Sequence, residues 1–464
     1  MTPTTLPARL LAPETSAVLD GACEPRPRVV TRHDIAHDVT AFLNRGLTTT
    51  SAGGGGFMPD LLHLGAYDLA AALGPAQHAG SPQARLALGL VFESIFGYTA
   101  GLRAVDTVSR AACGLRAGRP FLPSPSTPYR FLQDVPVTRA LECQTARGRR
   151  LGALDQVTPG PPVNLDGHHV KTDSRKAMQH ACITPEGRDG KASRTCDTQA
   201  QASQQPLLAL AASSGTTVSQ VTQRWAGLTR AILGRDVLLV ADQEGYRGQL
   251  LQALHTPYGV AVLTPVRASP PRLGEFDAVP LAQSDQTIWG NVAAVSTTLT
   301  DCDGPLRMRL KKRRDGTYCA LITPACTMTA DTAMPTSTKR WRIENFFAEN
   351  AFLGVTQLPS RHLNAIQTML SLRLLACHVM DNCRHDLGAP SQQKTPDLLH
   401  REFVNGVQGR GQLCGNLLDV ILYGFEHAAA AAAILPNLAT TRENAGVDPR
   451  IPWLGNRRLR FTLH

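Results

Sequence analysis

Lysine is scarce in this sequence, paired-cysteine motifs are missing, and no apolar stretch is long. Of the 47 basic residues only 7 are lysines. The 11 cysteines are scattered and none stands in a Cys-x-x-Cys arrangement, which argues against a zinc site and a disulfide framework. The longest uninterrupted apolar run covers residues 428–435, far short of the ~18–20 residues of a membrane span. We therefore expect reduced thiols and no membrane partner.

Positive charge is what the chain has in abundance. The net charge is +10, the isoelectric point is about 9.2, and 40 residues are arginines. Guanidinium groups bind phosphate through paired hydrogen bonds, so this composition favours a polyanionic partner, although a GC-rich genome also enriches arginine. Residues 1–30 contain five prolines and lack the apolar segment of a signal peptide. We expect a flexible tail there and an intracellular location.

An α/β pattern begins after residue 160. A short strand with Val163 and Leu165 on one face, and Asn164 and Asp166 on the other, ends at Gly167. Further along, residues 237–241 are all apolar, as in a parallel strand that is buried on both faces, and Asp242 follows directly. Since α/β sheets place their sites at the carboxyl ends of parallel strands, both aspartates are candidate site residues.

The same periodicities predict the neighbouring elements. Residues 207–210 predict a strand, and residues 216–233 predict a capped helix that Gly234 ends. Residues 266–335 are rich in strand and turn patterns, with a hairpin at Asp315-Gly316. Further helices are predicted for residues 339–353, 363–382 and 413–435, whereas residues 171–205 carry no clear pattern.

Glu344 supplies a third carboxylate, on a predicted helix that begins near Arg340. Carboxylate oxygens are the ligands that Mg²⁺ prefers. Two such ions about 3.5–4 Å apart can stabilise the entering and leaving oxygens of a phosphodiester displacement. Asp166, Asp242 and Glu344 are therefore the predicted catalytic and metal-ligating residues, and they would hold two Mg²⁺ ions, for which Mn²⁺ would substitute.

Two stretches resemble bacterial cut-and-paste DDE transposases of the insertion-sequence type. Arg340-Trp341-Arg342-Ile343-Glu344 matches the signature around the catalytic glutamate of that family. Residues 240–244, followed by a helix and by residues 262–267, are similar to its second-aspartate region. Where the family has a tyrosine and a lysine, this chain has Ser337 and Ala351. The resemblance covers roughly residues 160–385.

The resemblance implies a fold and an activity. The implied fold is α/β: an RNase H-like catalytic core interrupted by a β-rich insertion and flanked by N-terminal and C-terminal helical regions. The implied activity is Mg²⁺-dependent cleavage of double-stranded DNA at terminal inverted repeats and strand transfer into target DNA, by a homodimer on DNA in the bacterial cytoplasm, associated with the nucleoid. The expected organisation is a flexible tail (1–30), a helical DNA-binding domain (31–135), a linker (136–160), the first part of the core (161–265), the β-rich insertion (266–335), the second part of the core (336–390) and a C-terminal helical region (391–464).

Several side chains are predicted to contact DNA. Arg340 lies one helical turn before Glu344 and is predicted to bind the phosphate beside the scissile bond; Arg267 and Arg342 lie in the matching stretches. Trp289 is a candidate for stacking on an extruded base, with a core tryptophan as the alternative. Arg130 lies early in a capped helix that begins at residues 126–128 and is compatible with DNA recognition or with a structural helix.

A basic strand precedes the Asp315-Gly316 turn. Its period-two pattern puts four cations on one face and two apolar residues on the other: Arg307, Arg309, Lys311 and Arg313 against Met308 and Leu310. Lys312 and Arg314 add charge near the turn. We expect a phosphate-binding ribbon; the alternative is a solvated edge strand that charge protects from aggregation.

Two other functions stay open at this point. The first is a transposase-derived protein that binds DNA without catalysis, which the departures at Ser337 and Ala351 favour. The second is an RNase H-like DNA nuclease, which would not need the long β-rich segment.

Overall fold

The computed structural model describes a large part of the chain in two compact units. The described residues are 47–49, 52–74, 82–98, 113–119, 124–154, 156, 162–171, 180–183, 188–234, 237–248, 250, 251, 254, 259–267, 269–281, 285–287, 290–299, 302–324, 328–357, 360–405, 407–423, 440, 443, 444 and 446–464. The first unit holds the described residues of 148–169 and 179–346, and the second unit holds those of 24–147, 170–178 and 347–464.

The secondary structure is mixed α and β, as predicted. In chain order the strands are β1 (Leu47–Thr49), β2 (Pro162–Lys171), β3 (His180–Ile183), β4 (Arg188–Ala200), β5 (Pro206–Ser213), β6 (Leu238–Val240), β7 (Ala261–Pro265), β8 (Asp285–Thr287), β9 (Gly290–Leu299), β10 (Cys302–Lys312), β11 (Tyr318–Thr323), β12 (Gln408–Cys414), β13 (Leu417–Tyr423), β14 (Arg450–Ile451) and β15 (Arg457–Leu463). The helices are α1 (Met58–Leu64), α2 (Ala66–Ala72), α3 (Pro82–Ile95), α4 (Ser126–Asp134), α5 (Val137–Ala153), α6 (Val218–Leu233), α7 (Pro270–Asp277), α8 (Ala330–Thr338), α9 (Arg342–Glu349), α10 (Leu363–Asp386), α11 (Ala389–Gln392) and α12 (Pro396–Phe403).

One large sheet organises the first unit. Its strand order is β3-β4-β2-β6-β7-β11-β10-β9-β8, and β5 pairs with β4. The central strands β2, β6 and β7 run parallel, with Val163 opposite Leu239 and Val240 opposite Leu263. All four of these side chains are fully buried. This burial explains the uninterrupted apolar run before Asp242, because both faces of a central parallel strand are covered.

Helix α6 begins and ends where the sequence predicts. Thr217 and Gln220 form a capping box at its start, and Gly234 ends it with a φ of +86°. The helix carries an apolar stripe at Val221, Trp225, Leu228 and Ile232, and Trp225 is fully buried. The stripe therefore anchors α6 in the first unit.

The β-rich segment continues the large sheet. Strand β11 pairs antiparallel with β7, with Ile322 opposite Thr264, and β10 and β9 follow outward. The turn between β10 and β11 is the predicted one, since Gly316 has a φ of +82°. The strands predicted within residues 266–335 are thus present, together with helix α7, and they extend the same sheet because the outer edge of β7 is open for pairing.

Two predicted segments are wrong. The linker predicted for residues 136–160 contains helix α5. Its buried side begins with the apolar residues Val137, Ala140 and Leu141 but continues through Gln144 and Arg147, so the hydrophobic pattern is interrupted by polar residues. The C-terminal helical region predicted for residues 391–464 begins with helices α11 and α12, but residues 408–423, which include the start of the helix predicted for 413–435, form the hairpin of β12 and β13. The rest of that predicted helix lies outside the described residues.

The second unit combines helices with a second sheet. Helix α10 is buried along most of its length and packs against α3 and α4. Ser371 on α10 donates a hydrogen bond to the carbonyl oxygen of Ala140. This helix, which was predicted with the second part of the core, therefore packs with the amino-terminal helices. The second sheet has the strand order β1-β12-β13-β15-β14. Among the described helices, none is both long and apolar enough to cross a membrane.

Candidate active site

Two aspartates lie side by side on neighbouring parallel strands, Asp166 within β2 and Asp242 just after the last residue of β6. The register pairs Asn164 on β2 with Val240 on β6, and Asp166 and Asp242 each follow two residues later. Adjacent strands are about 4.8 Å apart, so the two side chains emerge at the same point of the sheet. Strand β2 itself continues to Lys171, beyond the end that the sequence predicts.

An arginine joins the first aspartate to the helical glutamate. Arg340 lies in a 3₁₀ turn, Lys339–Trp341, that leads into α9. One Nη atom of Arg340 is 3.1 Å from Oδ2 of Asp166, and the other is 2.7 Å from Oε1 of Glu344. The structure thus brings Asp166 and Glu344 to one guanidinium, although 55% of the Glu344 side chain remains exposed, against 14% for Asp166.

Backbone groups fix the two aspartates. Oδ1 of Asp166 accepts a hydrogen bond from the amide of Gly167, and Oδ1 of Asp242 accepts one from the amide of Glu244, each at 2.9 Å. The carbonyl oxygen of Asp242 accepts a 2.6 Å hydrogen bond from the hydroxyl of Thr264 on β7. Both carboxylates are therefore held in one orientation before any ligand arrives.

The electrostatics of this cluster favour a cation. Burial raises the pKa of Asp166 to about 6; Arg340 opposes the rise, whereas Asp242 and Glu344 add to it. Burial also raises the pKa of Asp242, against the hydrogen bond that its carboxylate accepts from the Glu244 amide. Several carboxylates that share a partly buried site repel one another, and a bound cation relieves that repulsion.

The donor set suits a hard divalent cation, because its donors are carboxylate oxygens. The arrangement of these carboxylates, however, does not form a closed set of metal ligands. Within the part of the chain that the structure describes, no group of three or more His, Cys, Asp or Glu side chains is gathered closely enough to hold a metal ion. The Arg340 guanidinium lies between Asp166 and Glu344 and donates a hydrogen bond to each of them.

Sequence reasoning missed two residues of this cluster. Arg194 on β4 donates from one Nη atom to Oε2 of Glu244 at 2.7 Å and from the other to the carbonyl oxygen of Thr216 at 2.9 Å. The same Glu244 oxygen accepts the amide of Val218, 3.2 Å away, at the start of α6. Glu244 stands two residues after Asp242, and this closeness in sequence could have identified it as a site residue. Arg194 lies within residues 171–205, for which the sequence shows no clear pattern.

Arg342 serves a structural contact. Its guanidinium donates to the carbonyl oxygen of Gln201 at 3.3 Å. The side chain of Gln201 in turn bonds to Asn164 and to the carbonyl oxygen of Thr336. These hydrogen bonds attach the segment around α8 and α9 to the turn between β4 and β5. Arg342, which was predicted to contact DNA, thus forms a hydrogen bond within the protein.

The basic strand is only partly available for phosphate. Strand β10 lies between β9 and β11, so the alternative of a solvated edge strand is wrong. Arg309 is buried and donates to the carbonyl oxygen of Met328, which removes it from the predicted ribbon. The covered position arises because the same face of the sheet packs against α8 through Leu321 and Met334.

The remaining predicted DNA contacts differ in exposure. Five of them are exposed or half-exposed: Arg267, Arg307, Lys311, Arg313 and Arg314. Lys312 is exposed, lies 3.5 Å from Asp277 and stacks over the Tyr318 ring. Arg130 is exposed on α4 of the second unit. Trp289 lies outside the described residues. DNA binding by these side chains stays a prediction.

Comparisons with known proteins add little to this geometry. The chain matches no protein-family model, and no curated protein matches it. Among solved structures, it is similar to a cryo-EM structure of a piggyBac transposase synaptic complex with hairpin DNA, with 11% identity, 80% of each chain covered and a TM-score of 0.40. A likeness at that level carries no argument about fold or function.

Proposed function

We propose that this protein is a DDE transposase, of the bacterial insertion-sequence type that its sequence resembles. The observation that carries the proposal is the cluster of Asp166, Asp242 and Glu344 around Arg340. Asp166 lies within β2, Asp242 follows the neighbouring parallel strand β6, and Glu344 comes from a helix more than a hundred residues further along the chain. The substrate would be double-stranded DNA, cut at terminal inverted repeats and joined to target DNA.

The strand order supports an RNase H-like core. Strands β2, β4 and β5 are neighbours in the spatial order β5-β4-β2, and β6 and β7, which follow them in the chain, run parallel to β2 on its other side. Asp166 lies on the first strand of this set, and Asp242 follows the fourth. The activity would be that of a homodimer on DNA in the bacterial cytoplasm.

Three carboxylates would hold the metal. Two Mg²⁺ ions, or Mn²⁺ in their place, would supply Lewis-acid stabilisation of the entering and leaving oxygens. The chain's own contribution is to hold Asp166 and Asp242 through backbone amides, and to deliver Glu344 from α9. Arg340, once it leaves the carboxylates, would be free to bind the phosphate beside the scissile bond, because a guanidinium pairs with phosphate as it does with carboxylate.

A DNA-binding protein without catalysis is the second candidate. The observation that favours it is the same arginine, since Arg340 forms ion pairs with two of the three acids. Ser337 and Ala351, which replace two residues of the family pattern, point the same way.

A cleavage assay separates these functions. Purified protein is incubated with linear DNA carrying any inverted repeats that flank the coding region, with Mg²⁺, Mn²⁺ or EDTA. A transposase yields metal-dependent cuts at the repeat ends and strand-transfer products, and D242N yields neither. Cuts without joined products would indicate a nuclease, and binding without cuts would indicate a DNA-binding protein without catalysis; either result contradicts the proposal.

A further inference from the structure

A buried arginine touches the segments that follow both strand aspartates. Arg194 is 6% exposed, and its guanidinium bonds to Glu244 and to the Thr216 carbonyl oxygen. It also lies directly against Gly167: a Cβ atom on that glycine would be 2.7 Å and 2.9 Å from two of the Arg194 nitrogens. One side chain therefore links the residue after Asp166 with the turn after Asp242.

Glu244 transmits this contact to the second aspartate. Its carboxylate accepts hydrogen bonds from Arg194 and from the amide of Val218, which fixes the short 3₁₀ turn Gln243–Gly245 against the start of α6. The amide of Glu244 is then directed at Oδ1 of Asp242. Among the described residues, loss of the Arg194 contact would leave the Glu244 carboxylate with the hydrogen bond from the Val218 amide and would loosen that turn.

We infer that Arg194 and Glu244 are positioning residues for the paired aspartates. Their ion pair sets the position of Asp242 relative to Asp166, without contact to substrate or metal. The inference rests on the proposed function, because the role of Arg194 and Glu244 is to position the aspartates of the proposed metal site. Residues that orient metal ligands in this way typically change metal affinity by about 10- to 100-fold when they are replaced.

The chain offers a matched control. Arg149, also in the first unit, donates from Nε to the carbonyl oxygen of Ala231, 2.9 Å away and near the opposite end of α6. R149Q removes an arginine contact to the same helix but leaves the aspartates untouched. It therefore reports what a purely structural loss does to the unit.

The experiment compares the full-length wild-type protein with R194Q, R194K, E244Q and R149Q. Mn²⁺ alone is the probe, and its free concentration is read from its electron paramagnetic resonance signal. Amide hydrogen exchange, measured by mass spectrometry without metal, follows the segments 163–169 and 240–246. D166N shows which Mn²⁺ binding belongs to this site.

We expect R194Q and E244Q to weaken Mn²⁺ binding by about 10- to 100-fold and to speed exchange in both segments. R194K should fall between wild type and R194Q, because an ammonium group keeps the charge contact to Glu244 but lacks the fork that also reaches Thr216. R149Q should change neither property.

Two results overturn the inference: unchanged Mn²⁺ affinity in R194Q, or faster exchange in only one of the two segments. If the wild-type protein binds no Mn²⁺, the proposed function fails, and exchange alone then decides the linking role. Faster exchange in both segments of R194Q, but not of R149Q, would still support that role, and unchanged exchange would refute it.

Discussion

Among the aspartates that pair with arginines in this protein, Asp166 and Asp419 have pKa values shifted in opposite directions. In the second sheet, Asp419 accepts hydrogen bonds from Nε and Nη of Arg460 and from the Thr462 hydroxyl. The Arg460 bonds lead the causes that lower the pKa of Asp419. In the first unit, burial raises the pKa of Asp166 to about 6 despite its contact with Arg340. An aspartate paired with an arginine therefore has a lowered pKa at one site and a raised pKa at the other.

The difference lies in how fully each carboxylate is satisfied. Asp419 has a two-pronged guanidinium and a hydroxyl, and the charged form is favoured. Asp166 has one guanidinium nitrogen at 3.1 Å and one amide, and shares its surroundings with Asp242 and Glu344. A buried acid that its surroundings leave under-compensated is typical of a functional site, whereas a fully paired one is typical of a structural contact.

The largest expected contrast is in metal affinity. D166N should weaken Mn²⁺ binding by about a hundredfold or more, because a metal ligand matters at least as much as the residues that orient it. D419N should leave Mn²⁺ binding unchanged. Titration of each variant with Mn²⁺, followed through the free Mn²⁺ concentration, measures both effects. Equal affinities for the two variants would show that Asp166 and Asp419 do not differ in their role in metal binding.

The second contrast is the pH dependence of stability. The pKa of Asp166 is raised from 3.8 to about 6, so the folded state favours the protonated acid and loses stability as pH rises through this window. D166N lacks this loss and should be more stable than wild type at pH 7.5, by at most about 3 kcal/mol. The advantage should vanish near pH 4. Urea unfolding in EDTA at both pH values tests the sign.

A smaller effect is expected at Arg340. Its bonds to Asp166 and Glu344 compete with a divalent cation for the same oxygens, so R340Q should bind Mn²⁺ more tightly, by roughly two- to fivefold. The same variant should cleave DNA more slowly if Arg340 also binds phosphate. Weaker Mn²⁺ binding in R340Q would show that the arginine organises the acids and does not compete for them.

The smallest effect concerns the structural pair. The pKa of Asp419 is lowered, so its contribution to stability is present above pH 4 and is lost as pH falls through its folded pKa. D419N should lower the thermal midpoint at pH 7.5, with the opposite sign to D166N, and the loss should shrink on acidification. The Arg460 side chain is half exposed, which keeps the effect modest. A stabilised D419N protein would contradict the contrast.

Short-range sequence patterns correctly predicted those helices, strands and turns that depend on neighbouring residues alone. The helix stripe around Trp225, the apolar strand before Asp242 and the turn at Gly316 follow from periodicity and glycine geometry within a few residues. The C-terminal sheet was missed because β13 pairs with β15, Val420 opposite Phe461. That pairing joins residues about forty positions apart, and the hydrophobic spacing of residues 413–435 contains no sign of it.

The site was predictable to the same extent. The aspartates near predicted strand ends, and the arginine one helical turn before a glutamate, can be recognised from the sequence alone. Arg194 does not, because its role depends on Glu244 and Gly167, which other strands bring to it. Likewise Arg309 alternates with apolar residues as a surface cation would, and only the packing of α8 against the sheet shows that it is buried.

A diffraction experiment on crystals grown with saturating Mn²⁺ tests the central claim most directly. The claim predicts anomalous density bound to both Asp166 and Asp242, with the Arg340 guanidinium moved away from the carboxylates. Density that touches neither aspartate, with Arg340 still bridging Asp166 and Glu344, would contradict it.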